Sequence, residues 1–409
     1  MEFTSIQSLV QHSPTSLIFN LTCVAALLSL AKYVYQGLKN PLYKVPGPFF
    51  SRFTNLPLKL AVISGRRIHH VHTLHERYGP LVLIAPREVA VADVKAYKQI
   101  HGVASGFQKS EWYRDMVVAE RDGVFAMTDG KTHAARRRLL SRPFSKSHLR
   151  QHWENVISEK VQLAVSRIRK EGVTGSADVL KWFTFMASDV STHLMFGEDF
   201  RTLERGEVSD YIRTLQKALM GSGIGVELPL VRWVGSRLPL QSCREMFAVN
   251  ETLLSYGNVA VANMKTAQAH TNIFANMMAE AEKGERLDDE DVRMEAQNLI
   301  VAGTDTTSIT LTYLIWAVLL RPELQHRVEA EIKTLPENFC DSDVEQLQLL
   351  TAVIEETLRL YGAAPGGLPR IVPIGGTVMN DVFLPGGTTV TTQAYTYHRD
   401  PKLFQDPLR

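Results

Sequence analysis

The run Leu299–Leu320, LIVAGTDTTSITLTYLIWAVLL, constrains the fold more than any other stretch of the chain. Asp288 and Asp289 upstream are helix-capping residues, and Pro322 downstream enforces an end. From Asp289 to Arg321 the predicted helix is on the order of 50 Å long at 1.5 Å per residue, enough to cross a large domain. Six residues inside it, Ala302, Gly303, Thr304, Asp305, Thr306 and Thr307, break the apolar pattern. Gly weakens a helix, clustered Thr side chains are stiff and bond back to the preceding turn, and a lone Asp is costly among apolar neighbours. Local misfits of this kind mark working sites. A membrane span is the rival reading, but Asp305 at the midpoint costs roughly 2.5 to 3.5 kcal/mol on insertion scales, so a buried helix of a globular body is expected.

The N-terminus is a different case. Ser16–Leu30 carries no charge, and with residues up to Leu38 it reaches the ~20 residues needed to cross a bilayer. No Lys or Arg precedes it, whereas Lys32, Lys39 and Lys44 lie within or after it. This argues against a cleaved signal peptide and for an uncleaved anchor over 16–38, with residues 1–15 luminal and the rest cytosolic. Val45-Pro46-Gly47-Pro48 stiffens the stretch 39–50, which reads as a hinge between the anchor and a body over 51–409. The 45 basic and 43 acidic residues balance closely, so charge gives no reason to expect a nucleic-acid partner. Cys23, Cys243 and Cys340 are few and scattered, which fits a reducing compartment, and none stands in a metal-type pair.

Periodicity predicts a mainly α fold with a small β-region. Helices are expected over Gly65–Tyr78, Lys131–Ser141, His148–Arg169, Val179–Phe196, Tyr211–Met220 and Val344–Tyr361, with Gly221, Gly223 and Gly225 breaking the fifth into a flap. Short strands are expected over Leu81–Ile84, Val89–Val91, Ile371–Val378, Val382–Leu384 and Thr388–Thr392. His72 and His75 share a helical face, although nothing completes a metal site there. In the next helix His133, Arg137 and Leu140 fall on one face while Arg136 and Arg138 point elsewhere, so Arg137 is the one arginine aimed inward, and the run is either a solvated basic face or one that brings Arg137 to a buried anion. Glu356 falls in an apolar stripe with Leu349, Val353 and Leu360, and Arg359 is its natural partner three residues on.

Three widely spaced elements now combine: AGTDTT at 302–307, the EXXR element Glu356–Arg359, and the HXXXR pattern His133–Arg137. With the runs ETLRLYGAAPGGLPRIVP and LPGGTTVTTQAYTYHRDPKLFQDP, they resemble the microsomal cytochromes P450, the haem-thiolate monooxygenases, in the form found in fungal secondary metabolism. The resemblance implies the cytochrome P450 fold and insertion of one oxygen atom from O2 into a hydrophobic small molecule. It implies haem as cofactor, NADPH cytochrome P450 reductase as partner, and the endoplasmic reticulum membrane as location. Ala302 and Gly303 would let haem approach the helix, and Asp305 and Thr306 would relay protons on the oxygen side. His133, Arg137 and Arg370 would hold the haem carboxylates, and Glu356 with Arg359 would be structural. The chain stops at Arg409, ahead of the Gly-rich loop that carries the iron-ligating cysteine in such relatives, and no cysteine present has the required glycines. No proximal metal ligand is named, and a C-terminally truncated member acting as a binder or scaffold is the second reading.

Overall fold

The computed structural model describes residues 14–117, 121–265, 272–280 and 287–408. Most of the expected luminal tail, residues 1–13, lies outside the described residues. The principal helices are α1 (Pro14–Leu38), α2 (Arg67–Tyr78), α3 (Trp112–Val117), α4 (Gly130–Ser141), α5 (Lys146–Gly172) and α6 (Val179–Phe196). They are followed by α7 (Asp210–Glu227), α8 (Gln241–Lys265), α9 (Asp289–Leu319) and α10 (Gln348–Tyr361). The long central helix is α9. Its N-cap Asp288 accepts from the Asp291 amide while the Asp291 side chain returns to the Asp288 amide, so two orphan donors are satisfied at once.

The first half of α9 is the axis of the main core. Val292, Ala296 and Ile300 are buried with Leu194 and Phe196 of α6, Leu215 of α7, and Leu253 and Ala260 of α8. Each fully buried aliphatic side chain contributes about 1.5 to 3 kcal/mol, which outweighs the propensity cost of the polar residues further along the same helix.

The β-region is a five-stranded sheet in the order β1-β2-β7-β4-β3, with a separate β5-β6 hairpin. Its strands are β1 (Leu81–Ala85), β2 (Glu88–Val91), β3 (Gln108–Lys109), β4 (Gly367–Ile371) and β7 (Thr389–Gln393). The hairpin joins β5 (Thr377–Met379) to β6 (Val382–Leu384) through Asn380 and Asp381, both at positive φ, as a tight two-residue turn requires. Strands from opposite ends of the body meet where β2 pairs parallel with β7. This brings Lys109 on β3 directly across from Arg370 on β4.

Three sequence expectations need correction. The three glycines do not break α7, which runs unbroken through Gly221, Gly223 and Gly225. A Cβ added to Gly221 would meet the Met246 carbonyl oxygen at 2.2 Å, so glycine there permits close approach of α8. The stretch Ile371–Val378 is not one strand, because β4 ends at Ile371 and Pro373, Gly375 and Gly376 turn the chain before β5. The segment after α1 is not a separate hinge either. Leu42 and Val45 are buried in the sheet's core cluster, and the Leu83 amide donates to the Pro46 carbonyl at 2.7 Å.

Candidate functional site

The polar notch of α9 has an open side and a packed side. Ala302 and Thr306, one turn apart, are exposed, whereas Thr304 and Ser308 are buried. The Thr306 hydroxyl donates to the Ala302 carbonyl at 2.5 Å and that of Thr304 donates to the Ile300 carbonyl at 2.8 Å, the back-bonding that lets hydroxyls sit inside a helix. Asp305 lies between the two sides, and burial pushes its carboxyl above the ordinary range. Gly303 faces the packed side, where an added Cβ would meet Ser191 Oγ of α6 at 2.7 Å. It therefore serves the α6–α9 contact, and the open flank belongs to Ala302.

A group of cations forms the second part of the site. Lys109 and Arg370 stand opposite one another across β3 and β4, an arrangement that like charges disfavour. His133 on α4 is lowered first by burial, then by Lys109, Arg137 and Arg370, which places all four groups within electrostatic reach. Lys109 is likewise pushed down to about 8 by burial, then by Arg370 and Arg137. His101, which pairs with Thr392 Oγ1 at 2.7 Å, falls to about 4 through burial and then Arg370. Among the described residues no carboxylate forms an ion pair with Lys109, Arg137 or Arg370, and the buried Arg370 Nε and Trp112 Nε1 have no hydrogen-bond partner. Orphaned buried donors around uncompensated cations call for an anion. The two carboxylates of haem fit this donor set, and the small exposed side chain of Ala302 fits a planar ring laid against α9.

Helical-wheel arithmetic misassigned the arginines of α4. Arg137 is exposed and belongs to the cation group, but Arg136, only 12% exposed, is the one directed into the protein. Arg136 Nη1 donates to Glu295 Oε1 at 2.9 Å and Nη2 donates to Asp291 Oδ1 at 2.7 Å, joining α4 to the first half of α9. Glu295 is fully buried, and its carboxyl is raised by burial despite Arg136 and the Val124 amide. Sequence reasoning missed Lys109, Trp112, Arg136 and Glu295. The signal for Glu295 was its place in α9, ten residues before Asp305 on the core-facing side.

The EXXR residues pair as expected, and the contact is bidentate. Arg359 Nε donates to Glu356 Oε2 at 2.7 Å and Nη2 donates to Oε1 at 2.6 Å. Glu356 does not point inward: its side chain is 48% exposed, and Arg359, at 8%, is the buried partner. Arg359 Nη1 also donates to the His398 and Pro407 carbonyls, and its guanidinium lies 4.6 Å from the centre of the Phe404 ring.

The histidines of α2 are occupied locally, His72 beside Glu76 and His75 Nδ1 against the Gly79 carbonyl at 2.9 Å. Cys23 lies in α1, Cys243 in α8, and Cys340 caps a single-turn helix.

The family model described as Cytochrome P450 matches residues 45–409. Among curated relatives, cytochrome P450 monooxygenase tazI of Aspergillus terreus is 39% identical over 407 residues, covering 98% of this chain and 82% of the relative. Cytochrome P450 monooxygenase stcB of Emericella nidulans is 36% identical over 373 residues, covering 90% of this chain and 72% of the relative. Cytochrome P450 monooxygenase cypX of Dothistroma septosporum is 35% identical over 394 residues, covering 93% and 77% respectively.

Proposed function

This chain belongs to the cytochrome P450 family of monooxygenases, and from that premise we propose that it inserts one oxygen atom from O2 into a hydrophobic secondary metabolite. NADPH cytochrome P450 reductase would supply the electrons, and α1 would hold the body at the cytosolic face of the endoplasmic reticulum membrane. Support for the anchor comes from Leu21–Leu38, a window apolar enough to cross a bilayer and only 6% buried. Support for the metabolite class comes from the fungal monooxygenases that the chain resembles along nearly its whole length.

The observation that carries the reading is the uncompensated Lys109–Arg370 pair with its orphaned neighbours. His133, Arg137 and Arg370, together with Lys109 and Trp112, would hold the haem carboxylates. Haem, when bound, supplies the activation of O2. On the open flank of α9, Ala302 leaves room for the ring while the Thr306 hydroxyl lies one turn further along the same side. That hydroxyl is a donor held by its own helix and released by one rotation about χ1. Asp305, raised by burial, holds a proton up to a higher pH than a solvated carboxyl does. Together they would pass protons from solvent to the oxygen side. Glu356 and Arg359 would tie α10 to the segment that carries His398 and Pro407.

The test is to purify the chain from a eukaryotic membrane host, measure its haem content and reduced carbon monoxide spectrum, and follow incorporation of labelled O2 with added reductase. Haem retention with label in an apolar product is expected. A chain that retains no haem under these conditions would overturn the reading in favour of an apolar-ligand binder.

A further inference from the structure

Residues 121–127 lead from the α3 region to α4 and press on the central helix. A Cβ added to Gly123 would meet Asn298 Nδ2 at 2.2 Å, and Asn298 precedes Ala302 by one turn on the same flank. This turn is therefore the wall beside the open notch. Two opposite charges grip it. From the helix side Glu295 Oε1 accepts the Val124 amide at 2.8 Å. From the sheet side Lys109 Nζ donates to the Val124 carbonyl at 2.8 Å and to the Phe125 carbonyl at 3.0 Å.

Lys109 serves two masters, because the same ammonium stands across from Arg370 and within reach of Arg137 and His133. Tyr113 flanks it on the remaining side, with its ring centre 5.4 Å from Nζ. We propose that Lys109 and Glu295 form a clasp on Gly123–Phe125, and that an anion bound among Lys109, Arg137 and Arg370 tightens the clasp, so that cofactor loading orders the wall against which substrate packs. The identity of that anion rests on the haem reading above; the clasp itself does not.

The physical link is charge. With no anion present, burial and then repulsion by Arg370 and Arg137 loosen the proton of the Lys109 ammonium against the opposing pull of Glu295, and a neutral amine is a weaker donor to carbonyls. A carboxylate placed among the three cations cancels that repulsion. Lys109 then stays charged, and both carbonyl bonds stay charge-assisted. The rival account is that the turn is held by apolar packing, with Phe125 edge-on to Tyr113 at 5.3 Å, in which case the cation is dispensable. On that account haem loading leaves the turn unchanged.

Hydrogen exchange at the amides of residues 121–127, measured on the full chain while haemin is titrated and its Soret band followed, separates the two. Haemin should slow exchange there about tenfold, equivalent to about 1.4 kcal/mol. Lys109→Met should bind haemin more weakly and, at haemin concentrations that saturate its Soret band, should still exchange faster and show no slowing, and Lys109→Arg should restore the response; unchanged circular dichroism shows that the variants fold. A wild-type turn indifferent to bound haemin, or a Lys109→Met turn indistinguishable from wild type, overturns the proposal. Failure of haemin to produce a Soret band overturns the cofactor reading and the coupling to it, while the exchange of Lys109→Met still decides whether the clasp exists.

Discussion

Arg136 and Glu295 are joined at 2.9 Å across the boundary between α4 and the buried first half of α9, and Glu295 has no exposed surface. Removing the cation strands a buried carboxylate. Arg136→Met should therefore destabilise the fold by about 3 to 5 kcal/mol, measured by urea unfolding. The sign with pH follows from the raised carboxyl of Glu295. A group raised in the folded state contributes stability below its unfolded value and loses it as pH rises through the folded value. The variant, in which the carboxyl rises further, should thus recover part of its loss as pH falls from neutral toward the ordinary carboxylate range.

Glu356 and Arg359 should respond unequally to truncation. Glu356→Ala removes a half-exposed carboxylate, whose contribution solvent screening reduces to about 1 to 2 kcal/mol. Arg359→Ala also frees the His398 and Pro407 carbonyls and the Phe404 ring, so about 3 kcal/mol is expected. Thermal unfolding of both variants checks the order. The Glu356 carboxyl is held low, first by its hydrogen bonds to Arg359, so its contribution is present above the ordinary carboxylate range and lost as pH falls through the folded value. Glu356→Gln should flatten that acid limb.

The glycines of α7 give a paired test of helix contact against helix propensity. Gly221→Ala drives a methyl into the Met246 carbonyl oxygen at 2.2 Å and should cost about 1 to 3 kcal/mol. Gly223→Ala meets nothing within 4 Å and should stabilise the helix by about 0.5 to 1 kcal/mol. Opposite shifts in denaturation midpoint are expected. A common sign for both would mean that α7 is not packed as described.

On the open flank, Thr306→Ala should leave haem content unchanged and lower product formation by about 100-fold. Asp305→Asn should act in the same direction. Product formed per NADPH consumed, in the reconstituted system with reductase, is the measurement that checks both.

The elements legible in the sequence were those whose pattern has a single cause. Val179–Phe196 and Val382–Leu384 were read to the residue, because one strong periodicity and clear breakers define them. The notch in α9 was legible as a local misfit. Arg136 was not, because wheel arithmetic assumes a single contact face, and α4 has two: Arg136 meets α9, while His133 and the exposed Arg137 face the cation group. Glu356 misled for a related reason, since its apolar stripe is shallow there and the long Arg359 side chain reaches the interior instead. Gly221 was read as a breaker because sequence shows the missing side chain and not the helix lying against it. Lys109 sits in a two-residue strand, too short for any alternation to show.

The last turn of α1 is docked on the body. A Cβ at Gly37 would strike the Phe53 ring at 2.1 Å, the Tyr33 hydroxyl donates to the Phe53 carbonyl, and Asn40 Nδ2 reaches the Pro86 carbonyl at 2.9 Å. Such a joint acts as a bracket where a flexible leash would leave the body free to swivel. If α1 spans a bilayer, the pitch and roll of the body above it are set by protein contacts. Enlarging Gly37 would then change the attitude of the body to the membrane without touching the polar notch of α9.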